Sequence, residues 1–435
     1  MKKGTALRVI PAAILALTSG YASASGFQLL EQNASGLGNA YAGSAANAEN
    51  ASVQFYNPAA MSVLGEGASV SVGFNAITPS YKFSNEGSKG LGGQSAQGSN
   101  GGDAGDTGYV PNAYLAYGIT KDISVGLGLG APFGLKSEYN PDWVGSAQSI
   151  KFDVKTININ PSISWKVNDT VSLGAGVSYQ KLDVEYVRRI VPQNNIPFGT
   201  PPTSYLGTQF VTLKADDWAW GWNVGALFTL APSTKVGVSY RSQVKHEVEG
   251  NLSSGFSAAN GNAKVSVNLP DTFILSVTQA LSDRWEMLGD VSLTRWSTIK
   301  KLDVLSNSQA ARANGGVAQI LHTEFQDAWR VALGANYKVN DAWKLKLGIA
   351  YDQTPVKNAS TRLASLPDND RTWFSIGAQW KPAKDQAVDV GFAYLLVPDA
   401  KINNNQTAAT ENRGNVVGTY KDSAYILGAQ YSIKF

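Results

Sequence analysis

The chain has 435 residues, no cysteine and only two histidines, His246 and His322, which excludes a disulfide framework and any thiolate or histidine-rich metal centre. It carries 36 Lys+Arg against 33 Asp+Glu, yet three of the basic residues (Lys2, Lys3, Arg8) and no acidic one fall in the first 24, leaving 33 against 33. The remainder has no charge excess to attract a nucleic acid, and its apolar residues, 43% of the chain, are dispersed rather than gathered into a spanning helix.

In chain order, residues 1–24 read as a secretory signal peptide. Two lysines and an arginine precede an apolar stretch from Val9 to Leu17 and an Ala22-Ser23-Ala24 cleavage site, a stretch too short to span a bilayer. Residues 25–67 are rich in Gly, Ala, Ser and Asn and show no alternation. They predict a plug that enters the lumen of the region C-terminal to it, with a short helix over Ala45 to Ala51.

From Ala68 to Phe435 the chain repeats with period two. Ile157, Ile159, Ile163, Trp165 and Val167 oppose Asn158, Asn160, Ser162, Ser164 and Lys166, while Val171, Leu173, Ala175, Val177 and Tyr179 oppose Ser172, Gly174, Gly176, Ser178 and Gln180. One face of each strand is therefore apolar and the other small or polar. Tight connections (Lys121-Asp122, Asn168-Asp169, Ala231-Pro232-Ser233, Ser282-Asp283, Asn340-Asp341) take turns with long polar ones, including Ser84 to Thr107, Arg189 to Gly207 and Ala400 to Asn415. That rhythm distinguishes an up-and-down membrane barrel from a soluble sandwich. The expectation is an all-β membrane protein, a transmembrane antiparallel barrel of about fourteen strands over 68–435 with the N-terminal hatch, or plug, in its lumen. Trp218, Trp220 and Trp222 on one parity, and Trp285, Trp329, Trp343 and Trp380 near strand ends, suit interfacial girdles. Tyr425, Leu427, Ala429, Tyr431, Ile433 and Phe435 place a terminal aromatic on the lipid side.

Two stretches break the rhythm. The third strand alternates from Ile123 to Leu129 and then meets Gly130-Ala131-Pro132-Phe133-Gly134, where proline cannot donate to a ladder and the glycines allow a bend. The fifth strand's inward parity changes from Gly176, Ser178 and Gln180 to Leu182, Val184 and Tyr186 and ends at Arg188, an apolar wall closed by a cation, as an amphipathic carboxylate needs.

Gly26-Phe27-Gln28-Leu29, Ser35-Gly36-Leu37-Gly38-Asn39-Ala40-Tyr41-Ala42-Gly43 and Asn57-Pro58-Ala59 resemble the hatch of the FadL family of outer-membrane long-chain fatty acid transporters. The similarity continues through Trp220-Gly221-Trp222-Asn223, Tyr240-Arg241-Ser242, Asn268-Leu269-Pro270, Asp327-Ala328-Trp329-Arg330 and Leu366-Pro367-Asp368-Asn369-Asp370-Arg371. The resemblance implies a fourteen-stranded barrel in the outer membrane of a Gram-negative cell, taking up hydrophobic molecules passively and releasing them sideways where the third strand kinks. It places Phe27 at the substrate pocket, Arg188 at a carboxylate, and Asn57, Pro58 and Ala59 as hatch anchors. Two positions depart from the family: Ala131 stands where a serine can occur, and Leu321 or Gln326 where a tenth-strand lysine is expected. Aromatic hydrocarbons such as toluene or xylene therefore stay open beside long-chain fatty acids.

An open porin would want charged rings on the lumen parity, which here is mostly Gly, Ser and Asn. An enzyme is not expected, since G-x-S-x-G, H-E-x-x-H and P-loop motifs are absent and His322 lies near a loop. No cofactor is expected. The partners expected are a hydrophobic small molecule, outer-membrane lipid and lipopolysaccharide, and the barrel-assembly machinery, for a chain acting as a monomer.

Overall fold

Alternation along each strand determines which face meets lipid, and in hydrocarbon every backbone N–H and C=O must be paired, so the sheet has to close. The computed structural model describes residues 26–90, 95–190, 210–408 and 411–435; the expected signal peptide, 1–24, and most of the loop from Arg189 to Gly207 lie outside them.

Fourteen antiparallel crossings form the barrel. They are β1 (Gly67–Asn85), β2 (Gly108–Gly118), β3 (Ile123–Gly130, resumed at Gly134–Glu138), β4 (Lys151–Lys166), β5 (Val171–Arg189) and β6 (Phe210–Ala231). Then come β7 (Thr234–Arg241, resumed at Val244–Ser254), β8 (Gly261–Leu269 and Thr272–Ala280), β9 (Trp285–Thr294 and Lys301–Ser306) and β10 (Val317–His322 and Ala328–Lys338). The last four are β11 (Trp343–Asp352), β12 (Arg371–Ala383), β13 (Gln386–Leu396 and Ala400–Gln406) and β14 (Gly414–Lys434). β14 pairs with β1 from Ser69↔Lys434 to Asn85↔Gly418 and closes the cylinder. The connections alternate short and long, as the sequence punctuation predicts, and both barrel ends lie on the short-turn side. Trp220, Trp165, Leu333, Ile376 and Phe435 stand on the outer surface, each more than half exposed to the lipid position; no helix among the described residues is long and apolar enough to cross a membrane.

The hatch occupies the lumen. It holds α1 (Val53–Tyr56) and two 3-10 turns, Leu37–Asn39 and Pro58–Leu64. The helix expected over Ala45 to Ala51 is not formed; the run folds as turns and bends, and Asn50 instead turns its side chain onto Ser52, accepting from its backbone N–H and hydroxyl at 3.1 and 2.6 Å. An Asn this close to its own downstream backbone competes with a helix for those groups.

Barrel glycines let the hatch approach. A Cβ at Gly174 would lie 2.3 Å from the Ala59 nitrogen, and one at Gly377 2.9 Å from the Gly38 Cα. Polar contacts complete the docking. Asn57 Nδ2 donates to the carbonyls of Ala45 and Ala226 at 2.7 and 2.9 Å, and its Oδ1 accepts from the Ala59 N–H at 3.0 Å. Lys346 Nζ, on β11, reaches Glu49 and Asp389 at 2.9 Å each and the Ser35 carbonyl at 2.8 Å, while Lys344 holds Glu49 at 2.6 Å. The lower lumen is thus more charged than the Gly/Ser/Asn parity of the sequence implies, because its lysines and acids are spent on the hatch.

Gly174→Val is expected to cost about 1–3 kcal/mol of overpacking and to lift the Pro58–Leu64 turn off the wall. Single-channel recordings of the variant should show openings that the native chain lacks; identical traces would show that the hatch tolerates the added side chain.

Candidate functional site

The ladder between β2 and β3 runs from Gly118↔Ser124 to Ala113↔Leu129 and stops. When β3 resumes at Gly134–Glu138 it pairs with β4 alone, and Gly108–Asn112 of β2 is left without a partner on that side. Contact returns higher up, where the Glu138 N–H donates to the Ala104 carbonyl at 2.9 Å and Lys136 meets Asp106 at 2.6 Å. A window results, about five residues or roughly 17 Å tall at the rise of a strand. The break falls on Ala131, Pro132 and Phe133, between Gly130 and Gly134, where the sequence expects it.

The backbone groups freed by the break find partners in the hatch and in β4. Pro132 O accepts from Leu29 N at 2.8 Å and Gly134 N donates to Phe27 O at 2.8 Å, so Phe27-Gln28-Leu29 lies along the break like a short strand. The Gln32 amide closes on Ala131 from both sides, donating to its carbonyl at 2.8 Å and accepting from its N–H at 3.1 Å. Thr156 of β4 serves Phe133, its hydroxyl accepting from the N–H at 2.9 Å and donating to the carbonyl at 2.7 Å. Each main-chain group lost from the sheet at Ala131, Pro132, Phe133 and Gly134 is thereby compensated.

Above the hatch the lumen is apolar. Phe27, Phe133 and Trp296 converge, with ring centroids 4.7 Å apart for Phe27–Trp296 and 6.0 Å for Phe27–Phe133. Leu182 and Tyr186 are buried in the same cluster, and Val184 packs against it half-buried. The structure therefore brings Phe27, Leu182, Val184 and Tyr186 together with the kink residue Phe133. Arg188 lies at the upper end. It lines a cavity of about 510 Å³ with Tyr186, Val211, Leu213, Val304 and Arg413, and its Nε donates to Gln319 Oε1 at 2.9 Å. No carboxylate pairs with it among the described residues. Asn57, Pro58 and Ala59 sit far from this cluster, at the base of the hatch.

Several residues of this arrangement carry no signal in the sequence. Trp296 enters the lumen because β9 leaves its ladder for a single 3-10 turn at Trp296–Thr298. Arg413 comes from the loop before β14, donating to the Gln406 Oε1 at 2.6 Å and to the Ile320 carbonyl at 3.0 Å, with Glu411 at 3.4 Å. It thus holds a cation against β10, the strand whose expected lysine is missing; Leu321 points into the apolar cluster and Gln326 donates to the Thr354 carbonyl.

The family model described as "Outer membrane protein transport protein (OMPP1/FadL/TodX)" matches residues 15–435. The chain belongs to this family. It is 30% identical to the long-chain fatty acid transport protein of Escherichia coli O6:H1 over 458 aligned positions, covering 98% of this chain and 97% of that one. It is 32% identical to outer membrane protein P1 of Haemophilus influenzae, with 88% of each chain covered. The crystal structure of a FadL homologue of Pseudomonas aeruginosa superposes with a TM-score of 0.85 at 23% identity, covering 94% of this chain and all of that one. The protein is accordingly an outer-membrane transporter of hydrophobic compounds.

Two predictions test how hatch and kink are joined. Gln32→Ala removes three buried hydrogen bonds, two to Ala131 and one to the Leu29 carbonyl, a cost of about 3 kcal/mol, and should raise the rate at which an added protease cuts the hatch in the intact barrel; an unchanged rate would show that the clamp holds nothing. Glu31 is the second. It is fully buried in the hatch with neither carboxylate oxygen hydrogen-bonded to a side chain or neighbouring backbone, in the field of Arg371, Asp352 and Arg330, and burial pushes its carboxyl up to about 7. A raised acid favours the packed hatch at low pH and loses that stability as pH climbs from the ordinary carboxylate range through 7. Protease sensitivity of the hatch should therefore increase from pH 5 to pH 8, and Glu31→Gln should flatten the profile.

Proposed function

We propose that the chain takes up long-chain fatty acids, which enter the outer cavity, settle with the tail among Phe27, Leu182, Val184, Tyr186, Phe133 and Trp296 and the carboxylate at Arg188, and leave sideways through the window beside the kink when the hatch shifts. The observation that carries the reading is an apolar cluster in the lumen below the Arg188 guanidinium, with which no acid among the described residues forms an ion pair. A buried hydrocarbon tail contributes about 0.8 kcal/mol per methylene, and a carboxylate at an unneutralised guanidinium adds a charge-assisted hydrogen bond. Arg413, beside the same cavity, supports an acidic head group where the missing β10 lysine and Ala131 would otherwise favour an uncharged aromatic hydrocarbon. The names of the curated relatives point the same way. The transported molecule passes chemically unchanged. The chain works as a monomer set in outer-membrane lipid and lipopolysaccharide, after delivery by the barrel-assembly machinery.

Uptake of labelled long-chain fatty acid and of labelled toluene, in cells lacking their own transporter, decides between the two substrate classes. The acid is expected to enter and toluene to stay near background; the reverse would replace fatty acid by aromatic hydrocarbon. Arg188→Ala should weaken binding of the acid roughly tenfold, the worth of one charge-assisted contact, and leave its methyl ester nearly unaffected. Straightening the break with Pro132→Val, Gly130→Val and Gly134→Val together should abolish uptake, and undiminished entry would rule out the lateral route.

A further inference from the structure

Below the apolar cluster, at the level of the kink, lies a second and smaller chamber of about 50 Å³, the room of roughly three or four water molecules. Three parts of the molecule meet there. Phe133, Val244 and Ala328 are shared with the apolar cluster above, Pro132 comes from the kink, and Gln28, Leu29, Leu30, Phe55 and Tyr56 come from the hatch. The rest of the wall mixes hydroxyl and amide groups, Ser178, Gln180 and Ser239 among them, with the apolar Trp222, Pro270 and Ile274 and the charged Arg241, Arg330 and Asp352.

Two cations in this wall, Arg241 and Arg330, form no ion pair among the described residues, and Arg241 is the one beside the kink and the hatch helix. Arg241 ends the first segment of β7, where the ladder breaks before Val244, and the break turns its guanidinium inward. Its contacts are neutral: the Ser178 hydroxyl at 3.0 Å, the Phe55 carbonyl at 2.8 Å, and the Phe55 ring, whose centroid lies 4.3 Å from the guanidinium carbon. Among the described residues no carboxylate forms an ion pair with it. Arg330 also lines the chamber, donating to the Ala40 carbonyl and lying over the Trp373 ring, while Asp352, the one carboxylate in the lining, stands opposite Arg371 in the ladder and forms no ion pair with Arg241. A guanidinium held out of bulk water with no acid beside it is costly, and the cost falls when an anion enters. The anion has to be small at its charged end and apolar behind it, because the chamber is small and shares Phe133, Val244 and Ala328 with the apolar cluster.

We propose that Arg241 is a second docking station for a carboxylate, receiving the head group of an amphipathic acid at the foot of the apolar passage, where kink and hatch meet. The station rests on the fatty-acid reading and adds a step to it. The acid is held first at Arg188; when it slides down, its charged end meets Arg241, and its tail then lies against Pro132 and Phe133 at the window. Phe55 couples the station to the hatch, since the guanidinium holds that residue by both ring and carbonyl.

Two ligands and three variants test it in cells lacking their own transporter: labelled hexadecanoate and its methyl ester, with Arg241→Met, Arg241→Gln and Arg241→Lys, each checked for the compact, heat-modifiable gel mobility of a folded barrel. The neutral variants should slow the initial entry of the acid roughly tenfold, the worth of one charge-assisted hydrogen bond, and leave entry of the ester and detergent-phase binding of the acid at Arg188 unchanged. Arg241→Lys should keep most of the acid rate. Undiminished acid entry in the neutral variants overturns the station, and so does an equal loss for acid and ester, which would make Arg241 a prop for Phe55. Wild-type cells that admit no hexadecanoate would instead remove the fatty-acid reading, and the station with it, a result distinguishable from a working wild type with indifferent variants.

Discussion

A strand that leaves its sheet inside a membrane exposes peptide groups to hydrocarbon, where each unpaired group costs several kcal/mol. β3 does leave, at Ala131-Pro132-Phe133, and the wall survives because the hatch supplies the missing pairing through Phe27, Leu29 and the Gln32 amide. The rest of the design depends on that substitution. The peptide groups freed at the break are paired only while the hatch is seated, and the hatch is seated partly by that same backbone. Moving one without the other would strand main-chain donors and acceptors, so a shift of Phe27-Gln28-Leu29 and a change at the window have to occur together. The outer lip is joined through loop residues, Ala104 to Glu138 and Asp106 to Lys136, rather than through a ladder, which fixes the height of the opening without sealing it.

The two halves of the lumen are built from different forces. In the upper half, rings and aliphatic side chains from β5, β6, β7, β8, β9 and β10 pack on Phe27 and Trp296 with few polar atoms. In the lower half, Glu49 with Lys344 and Lys346, Asn57 with Ala226, and Ser44 with Asp290 hold small residues against glycines of the wall. Attachment of this kind suits the hatch movement proposed above. Hydrogen bonds and ion pairs to the wall can be replaced by water as the hatch shifts, whereas withdrawing a large apolar face would expose it.

The wall was legible in the sequence because the period of a strand is two whatever its neighbours do. Ile163, Trp165, Leu173 and Val177 all face outward as their parity requires, and Pro132 between glycines marks the break by its missing N–H. Charge on a side chain, by contrast, does not reveal what neutralises it. Lys346 and Asp389 share the inward parity of β11 and β13, but their ion pair and the Glu49 carboxylate that joins it depend on the hatch arriving between them. Arg241 and Trp296 escape for a related reason: each sits where a ladder is interrupted, and at an interruption the period no longer fixes which way a side chain points. The run Ala45 to Ala51 shows the opposite failure, since good helix residues there yield to an Asn50 side chain that captures Ser52.

The proposed lateral exit would make a polar, tightly bonded floor compatible with passage of apolar molecules. A route straight through the barrel would force an apolar tail across Glu49, Lys346 and Asp389 and would offer ions the same path. On the proposed route, a window at the level of Phe133 would let the tail pass from apolar lumen to apolar bilayer without crossing that floor, and the driving force for leaving would be the same hydrophobic transfer that favoured entry. The charged end of an amphipathic acid is the part this route does not serve, because it cannot enter hydrocarbon until the tail is already there. A guanidinium beside the kink, held by neutral groups alone, would meet that need under the proposal above, keeping the head group bound while the tail explores the opening. An ester or a plain hydrocarbon has no charged end to park, which is why the two classes of ligand should respond differently to the loss of one cation.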